Sequence, residues 1–234
     1  MNNYLKLFEN IYAPDRPKAT TDTFYHRKFK RFNTTRYDIV SSCIKGGDLL
    51  LDLGCLDGDL IFMQKGKFKK YYGVDIVYNR IRKAKKLAEE REIQAEFILY
   101  DLNNMPFPFK DNTFDVVTCI ALLPYIFSLE DFFREVTRIL KINGKFIFQV
   151  PNLGYLPRRL SLFFGRIPSQ MFSPPGMIQF FIKKRCLELI YHVGLKIEKI
   201  SGSGLFASLR NWYPSVLTGD LIFDTAKKDI GSNG

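Results

Sequence analysis

Apolar and polar positions fall into alternating blocks through the first two thirds of the chain. Short apolar runs occupy residues 49–53 (LLLDL), 71–76 (YYGVDI), 95–100 (AEFILY), 114–120 (FDVVTCI) and 145–150 (KFIFQV, after a turn at 142–144). Each has strand length, and their near-continuous apolar character predicts strands covered on both faces. Between them lie segments of helical period. A helix is expected from near Gly58 to Gly66. A second spans residues 79–91, with Val77, Ile81, Ala84 and Ala88 on one face and the i,i+4 pairs Lys85–Glu89 and Lys86–Glu90 on the other. Residues 129–140 make a third. Ahead of the first strand, Phe29, Phe32, Tyr37, Val40 and Ile44 recur at helical spacing and predict a helix over 23–44, ended by Gly46 and Gly47. Strands joined by single crossovers require a parallel sheet with right-handed connections. The expected fold is therefore α/β: a Rossmann-like, doubly wound sheet with helices on both faces.

After Pro151 the pattern changes. Residues 152–175, rich in Pro, Arg and Phe, are expected to be loop; a helix over 183–192, a strand over 196–200, a loop through Trp212 and a last strand over 220–226 follow. The expected organisation is an N-terminal helical segment or lid at 1–46, a ligand-binding core at 47–152, and a C-terminal part at 153–234 that completes the sheet and carries a substrate-side insertion at 153–176.

Composition narrows the function classes. In 234 residues the four cysteines are dispersed, no CxxC pair occurs, and there are two histidines, so neither a metal site nor a disulfide framework is expected. The N-terminus has no signal-peptide shape and no apolar run approaches the ~20 residues of a membrane span, which points to the cytoplasm. The formal net charge of +11 is concentrated in HRKFKR (26–31), KGKFKK (65–70) and RIRKAKK (80–86). Solvated helix faces, an RNA-binding face and contact with an anionic membrane surface all fit that pattern.

The candidate chemistry lies around LLLDLGCLDGDL (49–60). Gly54 and Gly58 predict a tight strand-to-helix turn whose backbone approaches a ligand. Asp52, Asp75, Asp101 and Ile120 fall at the carboxyl ends of successive strands, where open α/β sheets bind ligands. Three carboxylates on one rim suit a ligand that offers hydroxyls, an exocyclic amine and a positive charge. Asp75 is placed for a ribose diol, Asp101 for an adenine amine with the Leu102 amide at a ring nitrogen, and Leu102 and Ile120 for the two faces of the base. A dinucleotide is disfavoured: Leu56 stands at the second glycine position of G-x-G-x-x-G, and Asp57 and Asp59 would oppose a pyrophosphate while suiting a sulfonium and an ammonium.

LLLDLGCLDGDL, YGVDI, YDLNNMPFP, DNTFDVVTCIALLPYI and REVTRILKINGKFIFQVPN, in this order, resemble the motifs of class I S-adenosylmethionine-dependent methyltransferases over residues 47–152. The resemblance implies a seven-stranded sheet, mostly parallel with an antiparallel last strand. It implies S-adenosylmethionine as cofactor, S-adenosylhomocysteine as product, and a binding set of Asp52, Gly54, Cys55, Gly58, Asp75, Ile76, Asp101, Leu102 and Ile120. The later stretches PNLGYLPRRLSLFFGRIPS, IQFF and NWYPSVLTGDLIFDTAK are similar to a bacterial and archaeal subgroup that includes methyltransferase-like proteins of methionine biosynthesis and of polysaccharide gene neighbourhoods. Where those relatives carry histidines, this chain has Tyr125 and Met177. Tyr125 is left as a weak catalytic candidate, a poor base at a reference pKa of about 10.

Methyl transfer is an in-line displacement at carbon on sulfonium, so positioning and exclusion of water dominate, and a base is needed only for a nucleophile that must lose a proton. The acceptor is expected beneath the 151–175 segment, where aromatic and aliphatic residues alternate with Arg158, Arg159 and Arg166. A small molecule, a glycan, a lipid-linked acceptor and RNA are the candidate acceptors, and a cofactor-binding partner protein without transfer is the rival from another class.

Overall fold

The computed structural model describes residues 3–12, 33–168, 176–205 and 211–229. The short α1 (Asn3–Ile11) comes first. A two-residue strand, β1 (Asn33–Thr34), leads into α2 (Arg36–Cys43), which starts on a capping box formed by Thr35 and Asp38. The alternation then runs β2 (Gly47–Leu53), α3 (Asp59–Met63), β3 (Phe68–Asp75), α4 (Tyr78–Glu90), β4 (Ala95–Leu99), β5 (Phe114–Ile120), α5 (Leu129–Ile139) and β6 (Leu140–Pro151). The C-terminal part adds α6 (Leu156–Phe163), α7 (Lys183–His192), β7 (Leu195–Ser201), β8 (Gly204–Leu205), α8 (Pro214–Leu217) and β9 (Asp220–Lys227).

Seven strands form one sheet in the order β4-β3-β2-β5-β6-β9-β7, and β1 pairs with β8 separately. The pairs β3–β4, β2–β3, β2–β5 and β5–β6 are parallel; β9 runs antiparallel to both β6 and β7. The last strand is thus inserted between its neighbours and is antiparallel, as expected. Each face of the sheet has its own core. On one face α5 and α7 pack Phe132, Phe133, Val136, Cys186 and Ile190 against Phe146, Phe148 and Phe223. On the other, α2, α3 and α4 pack Val40, Leu60, Ile61 and Ala84 against Leu50, Phe97 and Ile147. The all-apolar strands are apolar because both of their faces are covered.

Three sequence expectations need correction. The first helix occupies Arg36–Cys43 of the expected 23–44, and residues 23–32 lie outside the described ones. The fifth strand begins at Leu140 and runs through the expected turn at 142–144, because Leu140 pairs with Phe114 and a register shift absorbs the extra residues before Lys145 meets Val116. The 152–175 stretch is not all loop. It contains α6, and Pro157, which signals a break, sits in the helix's first turn, where its missing N–H leaves no bond unmade.

Among the described residues no helix is long and apolar enough to cross a membrane. All four cysteines are buried and free.

Candidate functional site

The strand order places the carboxyl ends of β4, β3, β2 and β5 side by side, with the direction of winding reversing between β2 and β5. This is the topological switch point of a doubly wound sheet, where the crossovers leave a crevice. Asp101, Asp75, the 54–58 turn and Ile120 line that rim in this order.

The turn is built from backbone bonds. The Gly54 and Cys55 amides both donate to the Val74 carbonyl, at 2.8 and 3.1 Å, which ties the turn to β3. Gly54 and Gly58 have φ of +78° and +81°, in the left-handed region that favours glycine. Leu56 also has a positive φ, +46°. Its amide donates to Asp75 Oδ2 at 2.9 Å, while the Val77 amide donates to Oδ1 at 2.9 Å. Both oxygens of Asp75 are therefore held by main-chain donors before any ligand is considered. Burial raises its pKa, and the backbone donors and Arg80 work against that rise.

Asp52 is set differently. It is buried, and among the described residues its hydrogen-bond donor is the hydroxyl of Thr118, 2.8 Å from Oδ1 on the neighbouring strand. Burial pushes its pKa up to about 7; Thr118 opposes the shift, and the charges of Asp75 and Asp59 add to it. A carboxylate in this setting favours a cationic neighbour.

Asp57, expected to face a positively charged ligand, is instead committed to the protein. Its Oδ2 lies 2.8 Å from Arg80 Nη1 and 3.0 Å from Lys83 Nζ. Burial would raise its pKa, but Lys83 and Arg80 together outweigh that and hold the carboxyl below its usual value. Cys55 is similarly absorbed: its amide is bonded to Val74, its carbonyl accepts from Gly58 at 2.8 Å, and its thiol packs in the core, pushed up in pKa by burial. Asp101 accepts from the Asn103 amide at 2.9 Å. Leu102 is buried in the α5-side core and Ile120 lies half-buried against the opposite one, so the two flank the rim from different faces.

Helix α1 docks onto this rim. Glu9 accepts from the Tyr78 amide (2.7 Å) and from Asn79 Nδ2 (3.1 Å), supplying the cap that α4 lacks from its own N-cap residue. Phe8 meets Tyr125 edge-on at 5.3 Å and joins Val77 and Tyr125 in a small buried cluster flanked by Tyr12, Ile76 and Met177. The Tyr12 hydroxyl donates to that of Tyr125 at 3.2 Å, and Arg80 Nε donates to the Tyr12 carbonyl at 2.5 Å. Tyr125 and Ile76 thus take part in seating α1.

Two residues escaped the sequence reading although a signal was present. Thr118 and Gln149 are the polar members of otherwise apolar strand ends. Gln149 lies opposite Ile120 in register, is 1% exposed, and its Oε1 has no partner among the described residues. Tyr37 on α2 is a third. Burial raises its hydroxyl pKa, and the charges of Asp52, Asp59 and Asp57 add to that, which places it close to the acids. Beyond the carboxyl end of β6 a small cleft is lined by Pro151, Leu153, Arg158, Met177, Phe180 and Phe181, among others.

A family model described as a methyltransferase domain matches residues 51–148, which span the turn, the acids and strands β2 to β6. Over these residues the chain is similar to methyltransferase domains. The 2-phytyl-1,4-naphtoquinone methyltransferase of Nostoc sp. is 34% identical over 104 residues, 43% of this chain and 45% of the relative. The chain matches half or less of the length of the first such curated relatives. Among solved structures, a protein of Pyrococcus horikoshii aligns over 97% of this chain and 100% of its own at a TM-score of 0.65 and 24% identity, and so shares the fold. Geranyl diphosphate C-methyltransferase from Streptomyces coelicolor, determined with S-adenosyl-L-homocysteine, aligns over 83% of this chain and 77% of its own (TM-score 0.60, 15% identity). Leu56 stands at the second glycine position of G-x-G-x-x-G, and its left-handed φ is one that glycine adopts more readily.

Proposed function

We propose that the protein binds S-adenosylmethionine at the β2–β5 crevice and transfers its methyl group to an apolar or lipid-linked small molecule. The observation that carries the cofactor half is Asp52. A buried carboxylate that, among the described residues, has one hydroxyl donor and no ion pair suits the positive charge of a sulfonium cofactor, which the neutral thioether product lacks. Asp75 keeps lone pairs for a ribose diol beyond its two backbone donors, and Asp101 stands one strand further along for the adenine amine. Residues 47–152 would form the cofactor core and 153–176 the acceptor side. The acceptor half is supported by the cleft, where Leu153, Met177, Phe180 and Phe181 offer an apolar wall and Arg158 and Gln179 a few polar groups. The relative from Nostoc, named for a phytyl-substituted naphthoquinone, fits an acceptor of that character.

No described residue has to serve as a base for this reading. A carbon or nitrogen nucleophile, or an oxygen already ionised, needs only near-attack geometry and a dry site. A second reading is favoured by Leu56: a side chain at the glycine position narrows the turn, and the protein would then hold cofactor without transfer. Calorimetry with S-adenosylmethionine and S-adenosylhomocysteine tests both. Absence of heat with either at millimolar ligand would sink the two readings together. Binding followed by turnover against naphthoquinol, glycan or RNA pools selects the first, and binding with no turnover in any pool selects the second.

A further inference from the structure

Helix α6 buries none of its side chains, which is unusual for an amphipathic helix in a folded protein. Its apolar residues Leu156, Leu160 and Phe163 follow the i, i+4, i+7 spacing, its C-cap Phe164 extends the stripe, and Ile167 follows after the left-handed Gly165. All five are exposed, Phe163 at 82% and Phe164 at 72%. Leaving this much aromatic surface in water forgoes burial that folding would normally use, and a contiguous exposed patch marks an interaction surface.

The stripe is not isolated. Asn152 Nδ2 bonds the Ser215 and Thr218 carbonyls (3.1 and 2.9 Å), and Arg158 Nη1 bonds those of Asn152 and Gly219 (2.7 and 2.6 Å), so the 211–219 segment is clamped to the base of α6. That segment presents Trp212 at 79% exposure with Tyr213 beside it. The Leu153 amide bonds the Phe181 carbonyl at 2.8 Å, bringing exposed Ile178, Phe180 and Ile182 to the same hub. The charge on α6 and the residues after it is basic: between Glu135 and Glu188 the sequence contains no acidic residue, and Arg159 and Arg166 are exposed beside the stripe, while Asp220 is held by Ser203 and Arg185 is paired with Glu130.

We propose that this face docks the protein on an anionic phospholipid bilayer, with the α6 stripe and Trp212 in the headgroup–acyl boundary and Arg159 and Arg166 against the phosphates. Apolar wedge residues flanked by Arg159 and Arg166 fit a negatively charged interface, where each basic residue and each buried aromatic adds to binding. RNA would use the cations but leaves the aliphatic Leu156 and Leu160 of the stripe, and exposed Ile167, without a partner. The cleft lies at the same hub, so docking would bring it to the membrane surface.

Trp212 is the single tryptophan of the chain and serves as the reporter. The full chain is mixed with phosphatidylcholine vesicles, with and without about one third phosphatidylglycerol. The expected result is co-sedimentation with the anionic vesicles and a blue shift of Trp212 emission, both weakened by salt. Phe163→Glu with Phe164→Glu, and separately Arg159→Glu with Arg166→Glu, should each weaken partition about tenfold or more. These side chains are in water, so the melting temperature and S-adenosylhomocysteine binding should stay at their original values. The proposal is overturned if anionic vesicles neither pellet the protein nor shift Trp212 at low salt, or if both double variants partition like the parent. It also falls if the patch is covered instead by a second copy of the chain or by RNA, seen as lipid-independent protection of Trp212. Loss of cofactor binding with vesicle binding intact would remove the function proposed above and leave this one standing.

Discussion

The amide of Leu56 donates a 2.9 Å hydrogen bond to the carboxylate of Asp75, and Leu56 makes that bond from a left-handed backbone with φ of +46°. The turn after β2 and the end of β3 are thereby locked to each other through the acid proposed to hold the ribose. A non-glycine residue in that region is strained by roughly 1–2 kcal/mol, and among the described residues Leu56 belongs to none of the hydrophobic clusters.

Leu56→Gly should therefore leave stability within about 1 kcal/mol of the parent, since released strain offsets the added chain entropy. If the leucine narrows the cofactor crevice, affinity for S-adenosylhomocysteine should rise several-fold. Denaturant melts and calorimetry on the same samples check both halves, and an unchanged affinity would mean that the side chain points away from the ligand.

Asp52 carries a pH prediction. Its folded pKa, raised to about 7, lies above the ordinary carboxylate value of the unfolded chain. Between the two values the folded state holds a proton that the unfolded state has lost, so this group's contribution to stability is full in acid and is lost as pH rises through about 7. Binding of a cation should show the opposite slope, strengthening as Asp52 ionises. Asp52→Asn should flatten both profiles. It should weaken S-adenosylmethionine by about tenfold while changing S-adenosylhomocysteine, which lacks the sulfonium charge, by much less. Equal losses for the two ligands would contradict a charge role.

Tyr125 separates packing from catalysis. It is buried between Phe8 and the Tyr12 hydroxyl. Tyr125→Phe should keep ligand binding and any turnover, losing about 1 kcal/mol for one hydrogen bond. Tyr125→Ala should cost about 3–5 kcal/mol and release α1 from the rim. Thermal denaturation and limited proteolysis near residue 12 report the two effects, and a collapse of turnover in the phenylalanine variant at unchanged cofactor affinity would reinstate Tyr125 as a catalytic group.

The Asp57–Arg80 pair is structural. Its side chains are 4% and 7% exposed, and Lys83, the second partner, keeps 44% exposure. Asp57→Ala strands Arg80 in the interior and should destabilise by about 3 kcal/mol, the low end for a broken buried pair because Lys83 is partly in water. Arg80 also holds the Tyr12 carbonyl, so the same variant should loosen α1, measurable as faster amide exchange at residues 8–12.

Strand identity, the doubly wound class and the rim positions of Asp52, Asp75, Asp101 and Ile120 were legible in the chain because they rest on local period and on where each strand ends. Periodicity names a face but not what meets it. Asp57 read as a ligand-facing acid until the fold set Arg80 and Lys83, more than twenty residues away, against it. Glu9 had no local signal at all as the cap of α4, and Tyr125 none as the seat of α1, since both bonds join residues about seventy or more apart. Pro157 misled for a related reason: a proline breaks a helix or starts one according to its position in the first turn. The sequence by itself determined the strands of the parallel core, their order along the chain and the acidic rim, all encoded within a few residues of each position. Tertiary structure alone decided which acids stay open to a ligand, which are consumed by the protein, and which apolar helix is left facing water, because those depend on long-range neighbours.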